Sequence, residues 1–388
     1  MTPTSSLETS SRVANLGFSD IVKIRNRILA MRQKGEPVIQ LEGGEPFPPT
    51  PDFVKAAMKK ALDEDQTRYA PSSGIPPLLD AIREKLAVRN SLDIAMSNII
   101  VVNGGAHGIF CSFQATLNPG AEALYFSPYW TPITDQIRYC GGVPVTVPWD
   151  EIRRHDPREV IAKRVTDKTR VLYLNSPANP SGDALDRSQL EAIAEIARER
   201  DLVVLSDEAY EDLIFDGQHI SIASLPGMFE RTITIFTLSK SFSMTGWRCG
   251  YVVAHDFWMD AIRRLVLNTT NGVSTPTQHA ALAAIRDGSE YLTGMRLEYE
   301  RRRDLLLEGV LGAGFHCRRP SGAFYLFVDV RERLGADSWA AMEELLQRTK
   351  IATVPGVVFG AEGEGHLRMS YSNPIPVIES AVEALRRI

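Results

Sequence analysis

Short apolar runs alternate with amphipathic stretches through the middle of the chain. "NIIVVNGG" (98–105), "ALYFSP" (123–128), "VLYLNSP" (171–177), "LVVLSDEAY" (202–210), "TITIFTLS" (232–239) and "CGYVVA" (249–254) read as strands covered on both faces. Their branched aliphatic residues follow one another with little polar alternation, as in a doubly covered sheet. In "DRSQLEAIAEIARERD" (186–201), Leu190, Ile193, Ala194 and Ala197 keep helical spacing, and Asp186 or Ser188 supplies the cap. Strand–helix alternation of this kind predicts a mostly parallel α/β sheet layered with helices. The runs between 232 and 254 lie too close together for a crossover helix, so one antiparallel neighbour is expected there.

The flanks read differently. A helix is expected over 51–64, with Thr50 as cap and Pro51 at its first position. A long, heavily charged helix over 291–312 runs from a central domain into a C-terminal one. After it, "GAFYLFVDV" (322–330), a helix over 338–349 and "HLRMSY" (366–371) predict a smaller α+β unit. No internal repeat is present, and the Ser/Thr-rich first dozen residues are expected to be mobile.

Composition narrows the function classes. At 388 residues, the chain can hold two domains and a large core. A net charge of −5 gives no footing for nucleic acid. No apolar run is long enough to span a bilayer, and the polar start has no secretory h-region. Cys111, Cys140, Cys249 and Cys317 are scattered without CxxC or metal-like spacing. Free thiols in a reducing cytoplasm are the expectation, with no metal site.

The chemistry-bearing residues fall at strand ends, where open α/β sheets bind ligands. "NGGAHG" (103–108) follows a strand and opens a helix; it reads either as a plain turn or as a cradle of backbone N–H groups for a phosphate. Asp207 ends a run of apolar residues and needs a cation or donor there. Asn179 lies in the turn "NSPANPSG" (175–182), and turn chemistry alone would account for it. In "TLSKSFSMTGWRCGY" (237–251), Lys240 is either a solvated strand-end lysine or a covalent nucleophile. A buried amine beside cations becomes nucleophilic, and Arg248 with Thr237 would hold an anion beside it. Lysine, anion cradle, buried carboxylate and polar asparagine together are what a pyridoxal phosphate site requires.

The sequence resembles the class I/II aminotransferases among the fold-type I pyridoxal-phosphate enzymes, over about 38–375. The resemblance is carried, in the family's order, by "LEGGEPFPPTP", "RYAPSSGIPPL", "NGGAHGI", "SPYW", "NSPANPSG", "SDEAY", "TLSKSFSMTGWRCGY", "PSGAFYLF" and "LRMSYS". It implies a mostly parallel seven-stranded-type sheet between helices in a large domain (49–290). It further implies an N-terminal arm (1–48) that joins a small α+β domain (291–388). By the same resemblance, Lys240 joins pyridoxal 5'-phosphate as a Schiff base and shuttles the proton, while Asp207 keeps the pyridine nitrogen protonated. Asn179 and Tyr210 bond the phenolic oxygen. The amides of Gly105 and Ala106, Thr237, Ser239 and Arg248 grip the phosphate, and Trp130 stacks on the ring. Tyr69 reaches the phosphate of a neighbouring subunit, which implies a homodimer with shared sites. Arg368, with Asn179 and the Gly44 backbone, takes the substrate α-carboxylate; in "HLRMSY", Leu367, Met369 and Tyr371 alternate away from it.

The implied reaction moves an amino group between an α-amino acid and a 2-oxo acid by a ping-pong route. "PYW" and "MTGWR" resemble the aspartate/prephenate branch, in which a lysine often follows the Gly-Gly pair to meet a distal carboxylate. Here that position is Ala106, and His107 stands next to it as a candidate substitute. The missing lysine counts against an aspartate specificity, and neutral, aromatic and arginine-like side chains stay open, with Phe18, Phe47, Trp130 and Tyr325 as candidate pocket walls. A lyase or other chemistry at the α or β carbon is the alternative on the same scaffold. A regulatory protein using this fold would carry a basic N-terminal DNA-binding segment, and the residues before "VIQLEGGEP" are too few and not basic.

Overall fold

A computed structural model describes residues 9–14, 16–17 and 19–388. Its centre is a seven-stranded sheet. In chain order the strands are β1 (Ile99–Val102), β2 (Glu122–Ser127), β3 (Val143–Pro148), β4 (Thr169–Asn175), β5 (Val203–Asp207), β6 (Thr232–Thr237) and β7 (Gly250–Ala254). Their spatial order is β1-β7-β6-β5-β4-β2-β3. β7 pairs antiparallel with both β6 and β1, whereas the pairings β6–β5, β5–β4, β4–β2 and β2–β3 are parallel. The antiparallel strand is the one expected from the short 232–254 spacing. All other strands therefore end on one edge of the sheet, and β7 begins on it.

Helices cover both faces, which explains why nearly every residue of β1, β5, β6 and β7 is buried. Along β4, Leu172 and Leu174 enter one apolar layer while Val171 and Tyr173 enter the other. The helix Arg187–Glu199 is fixed at its start by Asp186, which accepts from the Gln189 amide at 2.9 Å while Gln189 accepts in return from the Asp186 amide at 3.1 Å.

A second, four-stranded antiparallel sheet is built from His316–Cys317, Tyr325–Asp329, Val354–Pro355 and His366–Ser370. The long helix Ser289–Gly312 and the helices Ser338–Thr349 and Ile375–Leu385 accompany it. Ile39–Gln40 joins the chain's end by parallel pairing with Ile351–Ala352.

Two points differ from the sequence reading. The edge strand β3, "VPVTVP", was not expected from the sequence; Pro144 and Pro148 remove ladder donors, which an edge position tolerates. The helix near 51–64 spans Asp52–Asp63, with Pro51 rather than Thr50 at the cap. The Thr50 hydroxyl instead donates to the Ser243 carbonyl (2.7 Å) and accepts from the Trp247 indole (3.0 Å), tying this segment to the lysine loop. The expected mobility of the first dozen residues falls mostly outside the described residues, although Ser11–Ala14 forms a helical turn.

Candidate active site

The common edge of the sheet carries a cavity of about 480 Å³, and the sequence-derived groups converge on it. β1 leads through Gly104, at φ +76°, into the helix Gly105–Thr116, whose first amides have no intrahelical acceptor. The positive φ favours glycine there, and a Cβ would lie 2.6 Å from Arg248 Nη2, the movable end of that side chain. Arg248, itself at φ +55°, donates to the Thr245 carbonyl at 2.8 Å. Thr237 ends β6 and caps the short helix Leu238–Ser241, its hydroxyl accepting from the Ser239 amide at 3.2 Å. Helix N-terminus, threonine, serine and guanidinium surround one concavity, whose donors would suit a phosphate dianion.

Deeper in, Asp207 closes β5 and is only 6% exposed. Its Oδ2 accepts from the Tyr173 hydroxyl at 2.7 Å and its Oδ1 from the Ala209 amide at 3.2 Å. Burial pushes the carboxyl up to about 6 against these bonds. A cation opposite it would offset that desolvation.

Lys240 reaches into the cavity from the first turn after β6. Its Nζ donates to the Gly44 carbonyl at 2.7 Å and lies 5.9 Å from the Phe324 ring. Burial pushes the amine down to about 8, with Arg368 and Arg248 acting in the same sense and the carboxylates of Glu45 and Asp207 opposing. At neutral pH a usable fraction of this amine is therefore unprotonated.

Arg368, on the strand His366–Ser370, enters from the second sheet with 2% exposure. Nη1 donates to Asn179 Oδ1 (3.1 Å) and Nη2 to the Glu42 carbonyl (2.8 Å), while Nε has no partner. The rings of Tyr325 (4.5 Å) and Phe359 (4.9 Å) pack on the guanidinium. Tyr210 and Tyr325 share a hydroxyl contact of 3.0 Å beside it.

Lys240, Asp207, Tyr210, Gly105, Ala106, Trp130, Asn179, Thr237, Ser239, Arg248, Gly44 and Arg368 thus all border one cavity. Tyr69 does not; it stands 91% exposed on the chain's surface. Phe47 is likewise exposed and outside the cavity, Tyr325 borders it, and Phe18 lies outside the described residues. His107 turns away toward the helix Asp256–Thr269, where Nε2 meets the Thr269 hydroxyl at 2.9 Å. Residues not singled out from the sequence also take part: Tyr173 beneath Asp207, and Ile21, Arg25, Gln40 and Glu42 from the N-terminal segment. The strand register, which sets Asn175 opposite Asp207, could have pointed to Tyr173 two residues earlier on the same face. Glu208, Glu211 and His219 cluster behind the site, but the Lys85 ammonium already bonds both Glu211 oxygens, at 2.6 and 2.7 Å.

A concavity suited to an anion, a desolvated carboxylate and a lysine amine on one edge of the sheet are groups that a pyridoxal-phosphate enzyme needs, and the residues present fit that cofactor. Comparison with known proteins narrows the class. Residues 36–385 match the family of class I and II aminotransferases, and the chain belongs to it. It is 38% identical to the aspartate/prephenate aminotransferase of Thermus thermophilus, covering 98% of each chain. It is 36% identical to the aromatic-amino-acid aminotransferase 2 of Thermococcus litoralis, covering 98% of this chain and 97% of that one. The solved Thermus thermophilus aspartate aminotransferase with maleate superposes with a TM-score of 0.93 at 36% identity, covering 98% of this chain and 99% of that one. The protein is an aminotransferase that uses pyridoxal phosphate.

Proposed function

We propose that this cavity carries out transamination between an α-amino acid and a 2-oxo acid, with Lys240 as nucleophile and proton carrier. The observation that carries the reading is the buried Lys240 amine, held at 2.7 Å by a carbonyl and sharing one cavity with Asp207, Arg248 and Arg368. Arg368 binds the substrate α-carboxylate through its rigid fork, pre-set by Asn179 and the Glu42 carbonyl, with the Gly44 backbone alongside. Bound through its phosphate and aldehyde, the cofactor supplies an electron sink for the negative charge left at the substrate Cα. Asp207 holds the ring nitrogen protonated, which is the cationic partner its buried carboxylate favours. Tyr210 and Asn179 would hydrogen-bond the cofactor's phenolic oxygen, and Trp130 would stack on its ring. Thr237, Ser239, Arg248 and the amides of Gly105 and Ala106 hold the phosphate. The Lys240 amine, once free, would take the Cα proton as general base and then, as ammonium, deliver it to the cofactor's former aldehyde carbon.

The exposed Tyr69 supports a homodimer in which this hydroxyl reaches the partner's phosphate. The strands of the large sheet all fall within 99–254 and those of the four-stranded sheet within 316–370, which supports a large cofactor-binding domain of 49–290. A small domain of 291–388, joined by the arm 1–48, completes the division. Among the described residues no helix is long and apolar enough to cross a membrane, and the four cysteines are unpaired. Both agree with a cytoplasmic place.

The test is a half-reaction. Cofactor-loaded protein mixed with one amino acid, without any 2-oxo acid, is expected to lose its aldehyde absorbance and release one equivalent of 2-oxo acid. Continuous turnover to ammonia or another product, with the aldehyde absorbance retained, would move the function to the lyase alternative. A Lys240→Ala protein that converts substrate as fast as wild type would remove the lysine from its role.

A further inference from the structure

Among the described residues four cations border the cavity, and three have tasks: Lys240, Arg248 and Arg368. The fourth, Arg25, does not. It lies on the helix Asp20–Gln33, whose Ile24 and Ile28 are buried against Leu346, Val354 and Phe359. This anchoring row turns the adjacent i, i+4 pair, Ile21 and Arg25, to the cavity wall. Among the described residues the one carboxylate bonded to Arg25 is Glu45, at 3.4 Å, with both side chains more than half exposed. An exposed pair of that geometry contributes little and exchanges partners readily. Glu42, the other carboxylate on this side, is only 4% exposed and receives the Gln40 side-chain amide at 2.9 Å, with no bond to Arg25.

No other cation among the described residues serves the substrate's far end. Ala106 is uncharged, and His107 is engaged by Asn103 and Thr269 away from the cavity.

We propose that Arg25 is a specificity-determining residue: it binds the distal carboxylate of a dicarboxylic substrate, which replaces Glu45 as its partner, while Ile21 packs on the intervening methylenes. This rests on the aminotransferase reading of the same cavity. A guanidinium suits the task because its planar fork matches a carboxylate, and one near the mouth loses less hydration than a buried one. Aromatic or aliphatic substrates would leave Arg25 with Glu45 at no cost, so the same pocket would accept both kinds with different partners.

The experiment compares wild-type, R25Q and R25K holoenzymes. Binding of succinate, a dicarboxylate that cannot be transaminated, is measured by calorimetry against hydrocinnamate, a monocarboxylate; kcat/KM is measured for aspartate, glutamate and phenylalanine. R25Q is expected to weaken succinate and lower kcat/KM for aspartate and glutamate by about 10- to 100-fold, with hydrocinnamate and phenylalanine changed less than about threefold. R25K is expected to recover part of the loss. Equal losses for both ligand classes, or no loss for either, would overturn the role of Arg25 while leaving transamination intact. Wild-type holoenzyme that converts none of the three amino acids yet binds succinate through Arg25 would instead count against the underlying reading.

Discussion

Replacing Lys240 by methionine should abolish transamination and yet make the cofactor-free protein more stable at neutral pH. The amine titrates near 8 when folded and at its ordinary 10.5 when exposed, because burial disfavours the charged form. Between those values the unfolded chain holds a proton that the folded chain lacks, so stability rises with pH across the window. Below 8 both states are protonated and the folded one carries the full cost. Each tenfold loss of proton affinity on folding is worth about 1.4 kcal/mol, so the cost is about 3 kcal/mol at pH 7 and about 1 kcal/mol at pH 9.5. Methionine fills a similar volume without charge; it forfeits the hydrogen bond to the Gly44 carbonyl, worth about 1 kcal/mol at either pH. Urea unfolding of the two apoproteins should therefore give K240M an advantage of about 2 kcal/mol at pH 7 that vanishes near pH 9.5. The cofactor must be stripped, since its bond to the lysine would mask the titration. A difference that stays constant between the two pH values would refute the placement of a desolvated amine, and so would a K240M protein less stable than wild type at pH 7.

Two further outcomes are expected. Gly104→Ala places a methyl 2.6 Å from Arg248 Nη2 at a residue with φ +76°, so cofactor affinity measured by fluorescence titration should fall about tenfold or more. An unchanged affinity would refute the tight fit of the Arg248 guanidinium against Gly104 as a requirement for cofactor binding. Tyr69→Phe, at a hydroxyl exposed on the single chain, should weaken cofactor binding about five- to tenfold while light scattering still reports a dimer. Equal affinity in the two proteins would count against shared sites.

The core of the site was legible because its groups sit on elements that local pattern defines. Uninterrupted apolar runs located β1, β5 and β6, and the residues at or just past each end are Gly104, Asp207 and Lys240. What pattern left open was anything set by distant packing. Thr50 looked like a helix cap and proved to be a bridge to Ser243 and Trp247, nearly two hundred residues on in sequence. β3 was hidden because its two prolines read as breakers until its place at the edge of the sheet is known. His107 read as a stand-in for a missing charge, but helical geometry rotates it about 100° from Ala106, toward a neighbouring helix. Arg25 carried no signal at all, because the helix that bears it is fixed against residues near 346–359.

The parallel pairing of Ile39–Gln40 with Ile351–Ala352 sets an order of assembly on the ribosome. All seven strands of the large sheet have been synthesised by residue 254, so that sheet can close while the rest of the chain is still being made. The segment that follows Gln40, with the Glu42 carbonyl for Arg368 and the Gly44 carbonyl for Lys240, has by then long left the tunnel. It must nonetheless wait for about a hundred more residues, roughly five to twenty seconds at ordinary elongation rates, before its partner strand exists. Until then the segment that bears the Glu42 and Gly44 carbonyls has no strand to pair with.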